Sequence, residues 1–85
     1  PSDVLLDRLV AECKALCEYA AARNVRLAFE PEPGMFVETM DDYSRLFDRV
    51  AHPAFGLTLD VGHLYVTGET PVAPHLQRWK DVLWN

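Results

Sequence analysis

The stretch Val25-Arg26-Leu27-Ala28-Phe29-Glu30-Pro31-Glu32-Pro33-Gly34 decides the fold. Its first five residues are almost wholly apolar, which is how a strand covered on both faces reads, and the prolines that follow cannot extend a ladder. We read residues 25–29 as a buried strand that ends at an acid, Glu30. A second run has the same grammar: Phe55-Gly56-Leu57-Thr58-Leu59 is apolar, ends at Asp60, and leads into Val61-Gly62-His63. One βα unit separates the two acids.

Helical patterns fill the space around these runs. Over residues 2–23, Leu6, Leu9, Cys13, Leu16, Cys17 and Ala20 recur at intervals of three and four, while Asp7, Arg8, Glu12, Lys14 and Glu18 fall mostly on the other side. This is an amphipathic helix. Ser2 suits its N-cap, Asp3 favours its positive end, and Asn24 can adopt a left-handed stop. Thr39 is a good N-cap for the next helix, with Asp41 and Asp42 in the first turn and Tyr43, Leu46, Phe47 and Val50 at helical spacing. His52-Pro53 ends it. After His63 comes a loop with Gly68 and Pro71, then a third helix beginning near residues 71–74 and carrying Leu76, Trp79 and Val82. Residues 82–84 read as the start of a third strand. The order helix, strand, helix, strand, helix, strand stub is an α/β pattern, with parallel strands and right-handed crossovers.

With 85 residues, 49% of them hydrophobic and 25% charged, the chain supports one small domain and excludes a multidomain reading. Its longest apolar run falls far short of the roughly 20 residues of a bilayer span, and no basic segment precedes an apolar one at the start, so neither a membrane segment nor a signal peptide is expected. Eight basic residues against thirteen acidic ones give a net charge of -5. A nucleic-acid partner would want a concentrated Lys/Arg patch, and none is present. Cys13 and Cys17 share one helix face, where they read as small buried hydrophobes. With no His or further Cys at ligand spacing, they point to a reducing, cytoplasmic setting.

Two acids at the ends of successive parallel strands would lie side by side at the mouth of the sheet, the end where α/β barrels keep their chemistry. A single acid there also serves loop polarity or a helix start. The matched pair, followed by His63, points instead to one divalent cation held by hard carboxylate oxygens. His63 can add an imidazole ligand or hydrogen-bond a substrate. Such donors suit Mn²⁺, Mg²⁺, Co²⁺ or Zn²⁺. Glu32 is an alternative ligand, a substrate contact or a solvated loop acid, and Tyr65 either lines the pocket or packs the loop. Glu38 and Glu69 read as surface acids.

These residues resemble a known family. Leu27-Ala28-Phe29-Glu30-Pro31-Glu32-Pro33-Gly34, the helix starting at Thr39, and Leu57-Thr58-Leu59-Asp60-Val61-Gly62-His63 are similar to the middle of the xylose-isomerase-like TIM-barrel family. That family includes sugar-phosphate isomerases and epimerases, ketose 3-epimerases, inosose dehydratases and metal-dependent apurinic endonucleases. The most specific elements are a strand ending in Glu, a Gly four positions later, and a following strand ending in Asp-x-x-His. The resemblance implies that residues 1–85 are a partial (β/α)₈ barrel of about two and a half βα units, since a complete barrel takes about 250 residues.

By this resemblance Glu30 matches the metal-binding Glu that in the epimerases also exchanges a proton with the substrate carbon. Asp60 matches the metal-binding Asp, and His63 matches the His that contacts the substrate or a second metal. Glu30 and His63 are thus the candidate catalytic residues, Glu30 and Asp60 the candidate metal ligands, and His63, Glu32 and Tyr65 the candidate substrate contacts. The family's remaining ligands, a His near the end of the next strand and a Glu on a later one, have no counterpart here. The implied parent activity is a divalent-metal-dependent sugar or sugar-phosphate isomerase or epimerase, working by proton transfer or hydride shift beside a polarised carbonyl. A same-superfamily DNA repair nuclease is the alternative, opposed by the acidic balance. A second alternative is a non-catalytic piece that only self-associates. Exposed strand edges would make the chain a homo-oligomer, and without the later ligands it would turn nothing over.

Overall fold

The computed structural model describes residues 3–84. Its elements are α1 (Asp3–Ala21), β1 (Leu27–Phe29), α2 (Met40–Val50), β2 (Phe55–Leu57), α3 (Val61–Val66) and α4 (Ala73–Trp79). The N-cap expected of Ser2 lies outside the described residues. At the other end of α1, Asn24 takes the left-handed conformation with φ 58°, and the Val25 N–H closes on the Ala20 carbonyl at 2.9 Å. That is the stop expected of it.

The two strands are parallel, with Leu27 opposite Phe55, Ala28 opposite Gly56 and Phe29 opposite Leu57. Both are shorter than the apolar runs containing them. The ladder to β2 opens where the Leu27 N–H reaches the Ala54 carbonyl and closes where the Thr58 N–H reaches the Phe29 carbonyl. A third parallel position adjoins β2: Leu83 bridges Leu57, the Leu57 N–H donates to Val82, and the Trp84 N–H donates to Leu57. The expected strand start at residues 82–84 is therefore a single bridge.

Alternation along the strands sends Leu27, Phe29, Phe55 and Leu57 toward the helices. There the ring of Tyr43 packs against Phe55 at 6.0 Å and edge-on against Trp79 at 5.0 Å, and Phe47 meets Trp79 at 5.1 Å. α1 contributes Val10, Cys13 and Cys17 to this core, and α2 contributes Met40, Tyr43, Leu46 and Val50. The buried face of α1 is turned from the expected one. Leu6 and Leu9 are only partly covered and Leu16 is half exposed, because Val10 takes the inward position. α4 also stops earlier than expected, leaving Val82 beyond it.

The other face of the sheet corrects the reading of β1 as covered on both sides. Ala28 is exposed, and over Gly56 lie the ring of Trp84 and the Val82 carbonyl, with the Arg26 guanidinium 4.4 Å above that ring. α1 and α2 pack on each other and against the two strands, and the molecule is flat, 36 × 29 × 16 Å. No helix among the described residues is long and apolar enough to cross a membrane.

α3 is an element absent from the sequence reading, which places a loop there. Asp60 makes it: with extended backbone at φ −101°, ψ 116°, its Oδ1 accepts the Gly62 N–H at 2.8 Å and caps the first turn. At the far end Gly68, at φ +75°, lets the Glu69 N–H return to the Leu64 carbonyl at 2.8 Å and its own N–H to Tyr65 at 3.3 Å. These two bonds close a Schellman motif.

Candidate metal centre

Glu30 shares the parity of Ala28, and both Glu30 and Asp60 lie just beyond the C-terminal ends of their parallel strands. Glu30 follows β1 directly. Asp60 sits three residues past β2 at the start of α3, and one helical turn then brings His63 back toward both acids. His63 Nδ1 lies 3.6 Å from Glu30 Oε2, and Nε2 lies 3.7 Å from Asp60 Oδ2.

Asp60 divides its oxygens between two tasks. Oδ1 holds the helix cap, which leaves Oδ2 to face the imidazole. Gly62 allows this closeness, since a Cβ there would come within 3.1 Å of Oδ1. The imidazole is oriented from the first loop: Nδ1 is 3.3 Å from the Pro31 carbonyl oxygen. A carbonyl only accepts, so Nδ1–H is the donor in this contact, and in that tautomer the lone pair lies on Nε2. That nitrogen is the one facing Asp60.

One ligand atom each from Glu30, Asp60 and His63 lie within 4.8 Å of one another. The centre of such a triangle is no more than about 2.8 Å from any of the three atoms, against about 2.0–2.4 Å in occupied sites. Small side-chain rotations close that gap. The side chains can make them, being 37%, 52% and 28% exposed. Two carboxylates and one imidazole suit Mn²⁺, Co²⁺ or Zn²⁺, and Mg²⁺ through the oxygens. The donor set fits a divalent cation. It lies on an open surface, with no enclosed pocket among the described residues.

Of the sequence candidates, the structure brings Glu30, Asp60 and His63 together and leaves Glu32 and Tyr65 outside that triad. The backbone of Glu32 shapes the β1–α2 loop, its N–H reaching the Val37 carbonyl and its carbonyl accepting the Met35 N–H. Tyr65 stands on the outward side of α3, 68% exposed.

Two acids read as mere surface charge hold the loops instead. Glu38 Oε2 accepts the Gly34 N–H at 2.8 Å, where Gly34 turns the loop at φ +82°. Glu69 Oε2 accepts the Met40 N–H at 2.7 Å, at the first turn of α2. The sequence carries a signal only for the former, a turn glycine four residues before an acid.

A family model described as xylose isomerase-like TIM barrel matches residues 1–83. Comparison with curated proteins and with solved structures finds no match.

Proposed function

We propose a function from one premise: the chain belongs to the xylose isomerase-like TIM-barrel family. It carries three ligands of a divalent-cation site in an isomerase or epimerase acting on a small sugar or sugar phosphate. The observation that supports this reading is the convergence of Glu30, Asp60 and His63, from two successive strand ends, within 4.8 Å.

A divalent ion bound there supplies positive charge to the substrate oxygens as negative charge develops beside the reacting carbon. Glu30 takes and returns the proton at that carbon, its second oxygen remaining available when the first is a ligand. The alternative within the same reading is a hydride shift, in which Glu30 and Asp60 act as ligands alone. Asp60 Oδ2 completes the carboxylate pair while Oδ1 caps the first turn of α3. His63 presents Nε2 to the ion or to a substrate oxygen, with the Pro31 carbonyl holding its ring. Glu32 and Tyr65 are assigned to the substrate side, from the β1–α2 loop and the outer side of α3. Nucleic acid is not a partner in this reading.

The test is Mn²⁺ binding to the chain, followed by calorimetry, for the parent sequence and for Glu30→Ala and Asp60→Ala. Each substitution should remove saturable binding, and in a complete barrel each should also remove turnover of ketoses. An Asp60→Ala protein that still takes up the ion and turns over substrate would overturn the assignment.

A further inference from the structure

The element that presents Asp60 and His63 has little to hold it. α3 is six residues long, below the length at which a helix persists in water, and Leu64 is its one buried residue. Its ends are closed by the Asp60 cap and by the Schellman bonds around Gly68. Those closures fix the shape of α3 and leave its place relative to Glu30, which belongs to a different loop, to the 3.3 Å contact of His63 Nδ1 with the Pro31 carbonyl and to one further link.

Glu69 supplies that link. It is the residue immediately after Gly68, so the motif that ends α3 aims its side chain at the start of α2. Oε2 accepts the Met40 N–H at 2.7 Å, one of the donors a helix N-terminus leaves without a partner. Oε1 accepts the Thr67 hydroxyl at 2.5 Å, and that hydroxyl oxygen lies 3.1 Å from the His63 carbonyl. The Thr67 N–H itself donates to the His63 carbonyl at 3.0 Å. The Glu69 carbonyl is engaged as well: His75 Nε2 lies 3.0 Å from it and must be the donor, which ties the same residue to α4. One carboxylate therefore spans from the turn carrying His63 to the helix that follows the Glu30 loop. A carboxylate at a helix N-terminus is favoured by the helix dipole, so the contact is attractive beyond the hydrogen bond alone.

We propose that Glu69 is the positioning residue of the cation site, setting the distance of His63 and Asp60 from Glu30 by clamping the end of α3 to the start of α2. This rests on the cation reading above for its consequence, but not for its geometry. The two are separable by experiment.

In the ion-free chain, Glu69→Ala should accelerate hydrogen exchange at the Met40 amide and at the amides of residues 63–67, and shift the His63 ring resonances in NMR spectra. Val10→Ala, a core change in α1 remote from the site, should lower the melting temperature without moving those resonances. Unchanged exchange and ring shifts in Glu69→Ala would overturn the assignment whether or not any ion binds. In a Mn²⁺ titration, Glu69→Ala should weaken binding about tenfold, while Glu69→Gln, which keeps an acceptor for Met40 and a polar contact for Thr67, should stay within about threefold of the parent. Equal weakening by Val10→Ala would reduce Glu69 to a stability effect and overturn the proposal. Should the Ala variant not fold, Glu69→Asp carries the same comparison, because one methylene less cannot reach both Met40 and Thr67. A parent chain that binds no Mn²⁺ while Glu69→Ala still frees His63 would defeat the cation reading and leave the clamp standing.

Discussion

Gly56 shows how one missing side chain builds the sheet. A Cβ there would sit 2.5 Å from two ring carbons of Trp84 and 2.6 Å from the Val82 carbonyl, so the third parallel position exists because Gly56 leaves room for it. The contact with backbone makes the clash hard to relieve by a rotamer change. Gly56→Ala should therefore displace Trp84 and cost about 1–3 kcal/mol, the usual range for overpacking. Urea midpoints and a red shift of tryptophan fluorescence would register it; a variant with parental stability and emission would show that Trp84 does not depend on that gap. Residue by residue, what could be read beforehand was what spacing alone enforces. Glu30, Asp60 and His63 are placed by strand ends and one helical turn, both local rules. Glu69 reaches Met40 across 29 positions, and no periodicity carries that distance.

Among the elements, α2 matches its sequence signals most closely, and its start can be followed by pH. Thr39 caps it, the Thr39 hydroxyl accepting the Asp42 N–H and Asp42 Oδ2 accepting the Thr39 N–H, each near 3.1–3.2 Å. The Glu38 N–H also reaches Asp42, and Arg45 pairs with it at 2.6 Å. Burial alone would raise the Asp42 carboxyl above its ordinary value of 3.8, but the backbone donors of Glu38 and Thr39, the Thr39 hydroxyl and Arg45 outweigh it and hold the group below that value. A depressed carboxyl stabilises the fold above its unfolded pKa, and that stability is lost as pH falls through the folded value. Urea unfolding followed by circular dichroism should thus show stability falling below about pH 4, with a flatter acid limb in Asp42→Asn, which lacks the titrating group. An identical limb in the variant would remove Asp42 as the source. α3 escaped a reading that succeeded for α2 because six residues give no repeat to count. Its Val61, Tyr65 and Val66 are exposed, so the apolar pattern that marks a helix is missing. Only the Asp60 cap and Gly68 mark its ends.

For the whole molecule, the decisive property is that α1 and α2 pack against the sheet while Ala28, on the strand's other face, stays exposed. The helix-facing positions follow from apolar spacing, but Ala28 and Val25 belong to the same apolar run and are both exposed. The hydrogen-bonding edge tells the same story. In the parallel register, Leu27 and Phe29 face β2, which points the N–H and carbonyl of Ala28 to the opposite, outer edge of β1, unpaired among the described residues. α1, which packs against β1, exposes Leu16 and Tyr19, at 50% and 61%. An uncovered edge next to apolar surface is a template for pairing with another chain. The chain is therefore expected to self-associate, with a mass by light scattering that rises with concentration. Ala28→Pro isolates the cause. Proline removes an N–H that has no partner among the described residues and fits extended backbone at a sheet edge, so the fold should persist while edge pairing is blocked. Loss of association with unchanged circular dichroism would locate the contact at β1. A single-chain mass at every concentration in the parent would refute self-association, and association that survives the proline would move it to the apolar side of α1.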